Sequence, residues 1–160
     1  MNRRHFLTSS LWGAAAVGLG ARTAAAAYVE GNFEVTRTEA EWRAMLSDIE
    51  YAVMREGDTE RAFTSPLNDE TRPGTFNCKG CDQPLYDAAT KFKSGTGWPS
   101  FYQPLDNAVE TMPDNSFFIR RTEVHCDRCG SHLGHVFDDG PEPTGKRHCI
   151  NGVSLTFAAA

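Results

Sequence analysis

The sequence predicts a mainly β, α+β domain in which antiparallel sheets, forming a sheet pair or a small barrel, follow one or two N-terminal helices. Three observations indicate this class: apolar residues at helical spacing near residue 40, frequent prolines and glycines after residue 60, and alternating apolar residues close to the end. With 160 residues, the chain has the size of one ordinary domain.

The first 27 residues are predicted to be an export signal rather than folded structure. Arg3 and Arg4 precede Phe6-Leu7, a mild apolar stretch follows over 11–20, and alanines at 24–27 provide a small-residue exit. Paired arginines before Phe-Leu resemble a twin-arginine signal. An N-terminal membrane anchor is the alternative, but the apolar stretch is only half of the roughly 20 residues that span a bilayer.

Export followed by cleavage after Ala26 or Ala27 would release the mature chain, which we expect in the periplasm. Its residues 28–37 form a polar lead-in, and residues 38–160 form the domain. Because the leader contains three arginines and no acid, the mature chain has 13 basic against 21 acidic side chains, a net charge of −8. This charge argues against nucleic acid as a partner, and we expect no stable membrane insertion after cleavage.

Two capping boxes, Thr38 with Glu41 and Ser47 with Glu50, predict one helix or two short ones. The apolar residues of this segment recur at helical spacing: Trp42, Met45, Leu46 and Ile49. Gly57 follows Arg55-Glu56, as is typical just beyond a helix end. The helical part therefore ends near residue 56.

Short strands are predicted for the rest of the chain, because prolines and glycines interrupt any long helix. The segment 116–124 is rich in Phe, Ile, Thr and Val. Val153, Leu155 and Phe157 alternate with polar residues, as expected of a half-buried terminal strand.

Four of the five cysteines form two C-x2-C pairs, Cys78 with Cys81 and Cys126 with Cys129. Each pair can direct two thiolates at one ion, and two pairs complete a tetrahedral four-thiolate site. The pattern predicts one structural Zn²⁺ that joins two distant hairpins. Three alternatives remain: two disulfides, a redox-active dithiol, and a site that recruits His132 as a ligand.

The fifth cysteine, Cys149, follows Lys146-Arg147-His148. Positive neighbours lower a thiol pKa. If this segment is a strand, Arg147 shares the face of Cys149 and His148 points to the other face. A free thiol in an exported protein suggests reaction chemistry, although a buried and inert cysteine is the alternative.

These blocks together resemble the methionine-R-sulfoxide reductases of the MsrB type, over about residues 42–157. The resemblance is carried by residues 55–63 (REGDTERAF), the two C-x2-C pairs, 91–101 (KFKSGTGWPSF), 132–141 (HLGHVFDDGP) and 147–151 (RHCIN), in the family's order. It implies a mainly antiparallel β domain with a four-cysteine zinc clip.

The resemblance also implies the site and its chemistry. Cys149 would be the nucleophile that attacks the sulfoxide sulfur of a methionine-R-sulfoxide in a protein or peptide and becomes a sulfenic acid. His135 and His132 match the active-site histidines, and Asn151 matches a hydrogen-bonding residue. Trp98 matches the indole that packs against the substrate methyl, with Phe101 and Thr96 as further candidates for substrate binding.

The sequence departs from the family pattern at three positions. Thr96 stands where many members carry a resolving cysteine, so we expect a thioredoxin-like or other external thiol to reduce the sulfenic acid. His148 stands where the family often has an aromatic residue, and Gly152 stands where it often has a serine. The competing functions are a zinc-stabilised binding module, a zinc hydrolase using His132 and His135, and a disulfide oxidoreductase using C-x2-C.

Overall fold

The computed structural model describes residues 31–115 and 120–160. The predicted export signal lies outside the described residues, as do positions 116–119 of the predicted strand 116–124. Within the described ranges, no helix has both the length and the apolar character needed to cross a membrane.

Two short helices precede the sheets, α1 (Glu39–Met45) and α2 (Asp48–Glu56). Both predicted capping boxes form, and the Glu41 and Glu50 carboxylates each accept a backbone N–H bond at 2.8 Å. Gly57 ends α2 with φ 74°, a left-handed conformation that glycine adopts at little cost. Of the two arrangements that the sequence left open, one helix or two short ones, the structure has the two short helices.

In the described residues nine strands follow the helices, and every pairing among them is antiparallel. The strands are β1 (Gly74–Cys78), β2 (Pro84–Asp87), β3 (Lys91–Phe92), β4 (Ser100–Phe101), β5 (Val109–Asp114), β6 (Arg121–Cys126), β7 (His132–Phe137), β8 (Arg147–Ile150) and β9 (Leu155–Ala159). One sheet has the order β2-β1-β9 and the other the order β3-β4-β8-β7-β6-β5. The prediction of a mainly β, α+β domain with antiparallel sheets is confirmed.

Aromatic side chains from both sheets form the centre of the core. Phe101 from the six-stranded sheet stacks on Tyr86 with ring centroids 4.3 Å apart and meets the edge of Phe76 at 5.0 Å. All three rings are fully buried. The two sheets therefore pack face to face through these rings, while α2 packs against β7. β8 lies inside the larger sheet, between β4 and β7.

His148 belongs to this core, on the opposite face of β8 from Cys149, as the alternation of a strand predicts. It is 7% exposed, and its Nδ1 lies 3.2 Å from the Tyr86 hydroxyl. Burial lowers the pKa of His148 to about 4.

Acidification is therefore expected to destabilise the fold through His148. The unfolded chain binds this proton with an ordinary pKa of about 6.5, whereas the folded chain binds it only at about 4. The free energy of unfolding is not reduced by this proton above pH 6.5. It decreases as the pH falls towards 4, by about 3 kcal/mol in total. Denaturant unfolding between pH 4 and 8 should show a shallower pH dependence for His148→Phe. Equal slopes for the two proteins would contradict the expectation.

Candidate active site and metal centre

The four cysteines of the two C-x2-C pairs meet at one point. Their sulfurs all lie within 4.8 Å of one another. The Cys78 and Cys129 sulfurs are 3.7 Å apart, and those of Cys81 and Cys126 are 3.6 Å apart. The first cysteine of each pair ends a strand, Cys78 in β1 of the small sheet and Cys126 in β6 of the large one, and the second lies in the turn that follows. The cluster therefore connects the two sheets.

This donor set fits a tetrahedral metal ion. Four sulfurs bound to one zinc at about 2.3 Å would lie about 3.8 Å from each other, close to the two shortest separations. A disulfide needs a sulfur–sulfur distance of about 2.05 Å, and all five cysteines are free. His132 is not part of the cluster in the described residues, because its Nδ1 lies 2.7 Å from the Glu123 carboxylate. Among the sequence alternatives, the arrangement favours a four-cysteine metal site.

Cys149 lies in the middle of β8, and the strand register gives it a neighbour on each side. It is paired with Ser100 of β4 and with His135 of β7. Residues directly opposite in antiparallel strands place their side chains on the same face, with Cβ atoms about 5 Å apart. The register therefore makes Cys149 and His135 neighbours on one face of the sheet.

Two opposing influences act on the Cys149 thiol. Burial raises its pKa, whereas hydrogen bonds from Thr96 and Arg147 and the positive charge of Arg147 lower it, with the net result a raised pKa. Arg147 is fixed by two hydrogen bonds to Asp139 at 2.8 and 2.9 Å. The sequence correctly placed Arg147 on the face of Cys149, but burial outweighs its charge.

A chain of hydroxyl groups ends at the Cys149 sulfur. The Ser100 hydroxyl lies 2.7 Å from that of Ser94, which lies 2.9 Å from the Thr96 hydroxyl. The Thr96 oxygen is 3.8 Å from Cys149 Sγ. Thr96 was predicted to bind substrate, and the structure places it against the candidate nucleophile itself.

His135 belongs to a second polar chain, built by the β5–β6 hairpin. Its Nε2 lies 2.8 Å from Asp114 Oδ2, and Arg121 donates to the same oxygen at 2.7 Å. Burial lowers the pKa of His135, and the hydrogen bond to Asp114 partly opposes that shift. With Nε2 bound to Asp114, Nδ1 is the ring atom at which His135 can exchange a proton.

His132 is fully buried behind His135, with ring centroids 5.4 Å apart. Its Nδ1 is bound to Glu123 as described above, and Glu123 is 1% exposed. A pair buried this deeply fixes the ring orientation. The position of His132 suits a residue that supports His135 rather than one at the site's surface.

Glu60 joins three parts of the site. Its backbone carbonyl accepts from Trp98 Nε1 at 3.1 Å, and its backbone N–H donates to Asn151 Oδ1 at 3.0 Å. Its carboxylate accepts from the backbone N–H groups of Gly152 and Val153. Asn151 is 3% exposed and also donates to the Leu133 carbonyl at 3.1 Å. Trp98 and Asn151 are thus both held by the segment that begins at Glu60.

The prediction that Phe101 binds substrate does not fit its position. In β4, Ser100 is opposite Cys149 and Phe101 is opposite His148. Because successive residues of a strand face opposite sides, Phe101 points into the core, where it is fully buried. Ser100 is the residue of this strand that faces the candidate nucleophile.

The sequence did not identify several polar residues that complete the site: Ser94, Ser100, Asp114, Glu123, Asp139 and Glu60. Glu60 lies within residues 55–63, which carry the family resemblance, but nothing in its neighbourhood indicates a partner more than 90 residues away. Asp114 and Glu123 are separated from their histidines by a strand pairing that no local pattern encodes. The pairing registers of β5, β6 and β7 are the information that would have identified these partners.

Comparison with known proteins gives a consistent result. The SelR domain matches residues 46–159. "Peptide methionine sulfoxide reductase MsrB" of Methylibium petroleiphilum is 52% identical over 125 residues, 78% of this chain and 91% of the relative. The protein of the same name from Pseudomonas putida is 54% identical over 125 residues, 78% of this chain and 94% of the relative. That of Methanosarcina mazei is 50% identical over 125 residues, with 78% and 89% covered.

Proposed function

The chain belongs to the SelR domain family, and we propose that its peptide-methionine (R)-S-oxide reductase activity uses Cys149 as the nucleophile. The enzyme is an oxidoreductase whose substrate is methionine-R-sulfoxide and whose electrons come from a thiol. We propose residues 38–160 as the catalytic domain, which contains the matched region.

The observation that supports these roles is the register of β8 between β4 and β7. It places Cys149 beside Ser100 and His135, with Thr96 against the sulfur. Trp98 is held nearby through its indole N–H and would pack against the methyl group of the substrate. Sulfoxide reduction by a cysteine needs a thiol, an imidazole that exchanges a proton, and an aromatic side chain that contacts the substrate.

In the first step the Cys149 sulfur attacks the sulfoxide sulfur, and the oxygen is transferred to Cys149. The products are methionine and the Cys149 sulfenic acid, so the substrate sulfur is reduced and the cysteine sulfur is oxidised by two electrons. The thiol loses one proton, and the transferred oxygen gains one proton as the sulfenic acid forms. His135 would move this proton, using Nδ1 while Asp114 holds Nε2.

In the second step two external thiols restore the enzyme. The first attacks the sulfenic acid, releases water and forms a mixed disulfide. The second attacks that disulfide, regenerates the Cys149 thiol and leaves the reductant oxidised. We propose a thioredoxin-like protein or another small thiol as this reductant.

The activity is tested by assaying both sulfoxide epimers of a blocked methionine with dithiothreitol as the thiol. The R epimer is expected to be reduced and the S epimer to remain. Turnover of the S epimer alone would reject the function.

We propose that the metal is zinc, held by Cys78, Cys81, Cys126 and Cys129. Bound zinc would connect the two sheets and would supply structure rather than chemistry, because four thiolates leave no open position for a water or substrate. The same filled coordination argues against a zinc hydrolase. Elemental analysis of the purified protein should give about one zinc per chain.

The sulfenic acid is expected to accumulate when substrate is added without a reductant. The other four cysteines form the metal cluster, so no resolving thiol is left within the chain. Mass spectrometry after dimedone treatment should show the adduct on Cys149. An intramolecular disulfide to one of the cluster cysteines would contradict this expectation.

Thr96→Cys provides the matched control for this trapping experiment. The Thr96 hydroxyl lies 3.8 Å from the Cys149 sulfur, so a thiol at this position should reach it. The variant is expected to form a disulfide between residues 96 and 149 and to lose dimedone labelling.

We also propose export through a twin-arginine signal in residues 1–27, followed by cleavage after Ala26 or Ala27. The arginine pair and the alanine run support this proposal, and it makes oxidised methionines of periplasmic proteins the substrates for repair. Cell fractionation tests it: replacing Arg3 and Arg4 with lysine should leave an uncleaved chain in the cytoplasm. Unchanged export would reject the twin-arginine assignment.

A further inference from the structure

We infer that Phe63 and the cavity beside it bind the residue next to the methionine sulfoxide in a polypeptide, with a preference for an apolar side chain. This inference rests on the proposed function and specifies its substrate. Phe63 is 74% exposed, the highest fraction among the exposed large apolar side chains of the described residues.

The backbone holds Phe63 in an unfavourable conformation. Its φ is 66°, a left-handed value that is a genuine outlier for a bulky residue. The Phe63 N–H donates to the Gly97 carbonyl at 2.8 Å, and Asn68 donates to the same carbonyl at 3.0 Å. Strain that the surroundings maintain is characteristic of functional sites.

Phe63 is also tied to the residues around the nucleophile. Its ring covers Gly97, where a Cβ atom would lie 2.9 Å from the ring and could not be accommodated. Gly97 lies between Thr96, which contacts Cys149, and Trp98. The segment 60–63 is anchored at its other end by Glu60, which accepts hydrogen bonds from the backbone just after Asn151. The exposed ring is therefore a fixed part of the site's edge.

A cavity of about 330 Å³ extends from this edge. Its walls include Phe63, Trp98 and the loop from Lys93 to Gly95, which leads directly to Thr96. This volume is at the lower end of pockets that hold drug-sized ligands, about 300–1,000 Å³, and exceeds what one methionine side chain requires. Because consecutive Cα atoms are about 3.8 Å apart, a neighbouring residue of the substrate would enter it.

The test compares three R-sulfoxide substrates: free methionine sulfoxide, a blocked Gly-Met(O)-Gly peptide and a blocked Leu-Met(O)-Leu peptide. The wild type is expected to show a kcat/KM about tenfold higher for the leucine peptide than for the glycine peptide, with the difference in KM. Phe63→Asn removes the ring and suits the left-handed backbone. It should abolish the preference, so that kcat/KM for the leucine peptide falls about tenfold to the value for the glycine peptide. Phe63→Tyr should retain the preference.

Ile49→Ala is the control, because Ile49 is exposed at 46% on α2, and it should change nothing. A wild type without a preference, or a Phe63→Asn variant that loses turnover of all three substrates equally, would overturn the inference. Failure of the proposed function itself would be recognised separately, because the wild type would then reduce none of the three R-sulfoxides.

A second and independent observation concerns Arg55, and we infer that it is the counter-cation of the metal–thiolate cluster. Arg55 is 6% exposed. It donates to the Cys129 carbonyl at 3.2 Å and to the Ser131 hydroxyl at 3.4 Å, and its guanidinium lies 4.6 Å from the Trp42 ring. Within residues 31–115 and 120–160, no ion pair joins it to a carboxylate.

Burying a cation costs free energy unless an anion compensates its charge. For Arg55, we infer that the cluster sulfurs provide that charge. Burial lowers the pKa of Arg55, and the Cys129, Tyr51 and Cys78 side chains oppose that shift, so two of the three opposing groups belong to the cluster. Zinc bound by four thiolates retains two negative charges, one of which Arg55 would balance. Arg128 lies close to the cluster too, with a hydrogen bond to the Cys81 carbonyl at 3.2 Å, but Glu34 already pairs with it at 2.8 Å.

Zinc release to 4-(2-pyridylazo)resorcinol from the purified holoprotein tests this role without measuring catalysis. Arg55→Gln keeps hydrogen-bond donors and removes the charge, and it should release zinc at least tenfold faster than the wild type. Arg55→Lys keeps the charge and should stay within about threefold, as should Arg128→Gln. Equal rates for the Gln and Lys variants at position 55, or a Gln variant as slow as the wild type, would overturn the inference, as would a wild type without zinc.

Discussion

Cys149→Ser is expected to reduce the R epimer of blocked methionine sulfoxide at least 10³-fold more slowly than the wild type. A serine hydroxyl is a far weaker nucleophile than a thiolate at neutral pH, and no other side chain can replace it once the nucleophile is lost. The exchange of one atom in a half-buried side chain should leave the fold intact. Thermal unfolding and zinc content are therefore expected to match the wild type.

Residual turnover within tenfold of the wild type would reject Cys149 as the nucleophile. A disulfide oxidoreductase using the C-x2-C pairs would give that result, since its chemistry would not need Cys149. A zinc-stabilised binding module is distinguished by the wild type, which would then label slowly with iodoacetamide and turn over neither epimer.

Cys78→Ser is expected to cause the largest loss of stability. Cys78 is fully buried and belongs to the cluster that connects the two sheets. Structural zinc sites contribute about 10–16 kcal/mol of apparent binding free energy in isolated fingers, and even a loss of about 4 kcal/mol would lower the melting temperature by more than 10 °C. Differential scanning calorimetry with zinc analysis measures both effects.

The matched control for Cys78→Ser is Cys149→Ser, which makes the same chemical change outside the cluster. The two variants should have opposite effects: one loses stability and zinc, and the other loses only turnover. A Cys78→Ser protein with full zinc content and an unchanged melting temperature would show that the cluster is not the structural metal site.

The parts of the fold that local sequence encodes were predicted well. Capping boxes at Thr38 and Ser47 depend on residues three positions apart, and both helices begin there. The two C-x2-C turns each bring their own sulfurs together, so their spacing was enough to predict the cluster. The terminal strand was placed correctly from its alternation, although β9 begins only at Leu155 because a short 3-10 turn covers 152–154.

The parts that depend on strand pairing were not predictable from the sequence. Ser100 and Cys149 are opposite each other because β4 pairs with β8 across 49 positions, and no local pattern specifies that register. The same register explains why Phe101 lies in the core and Ser100 faces the site: in a strand of two residues, alternation cannot reveal which one faces the core. Asp114 could not be linked to His135 for the same reason.

The uneven burial of the metal cluster has a consequence for the lifetime of the protein under oxidative conditions. Cys78, Cys126 and Cys129 are at most 1% exposed, whereas Cys81 is partly open to solvent. An oxidant that produces the substrate would thus reach the cluster first at Cys81, and oxidation there would remove one ligand of four. Damage at this one sulfur would weaken the connection between the two sheets and leave their packing to the aromatic core, so the protein would lose stability by a route separate from oxidation of Cys149.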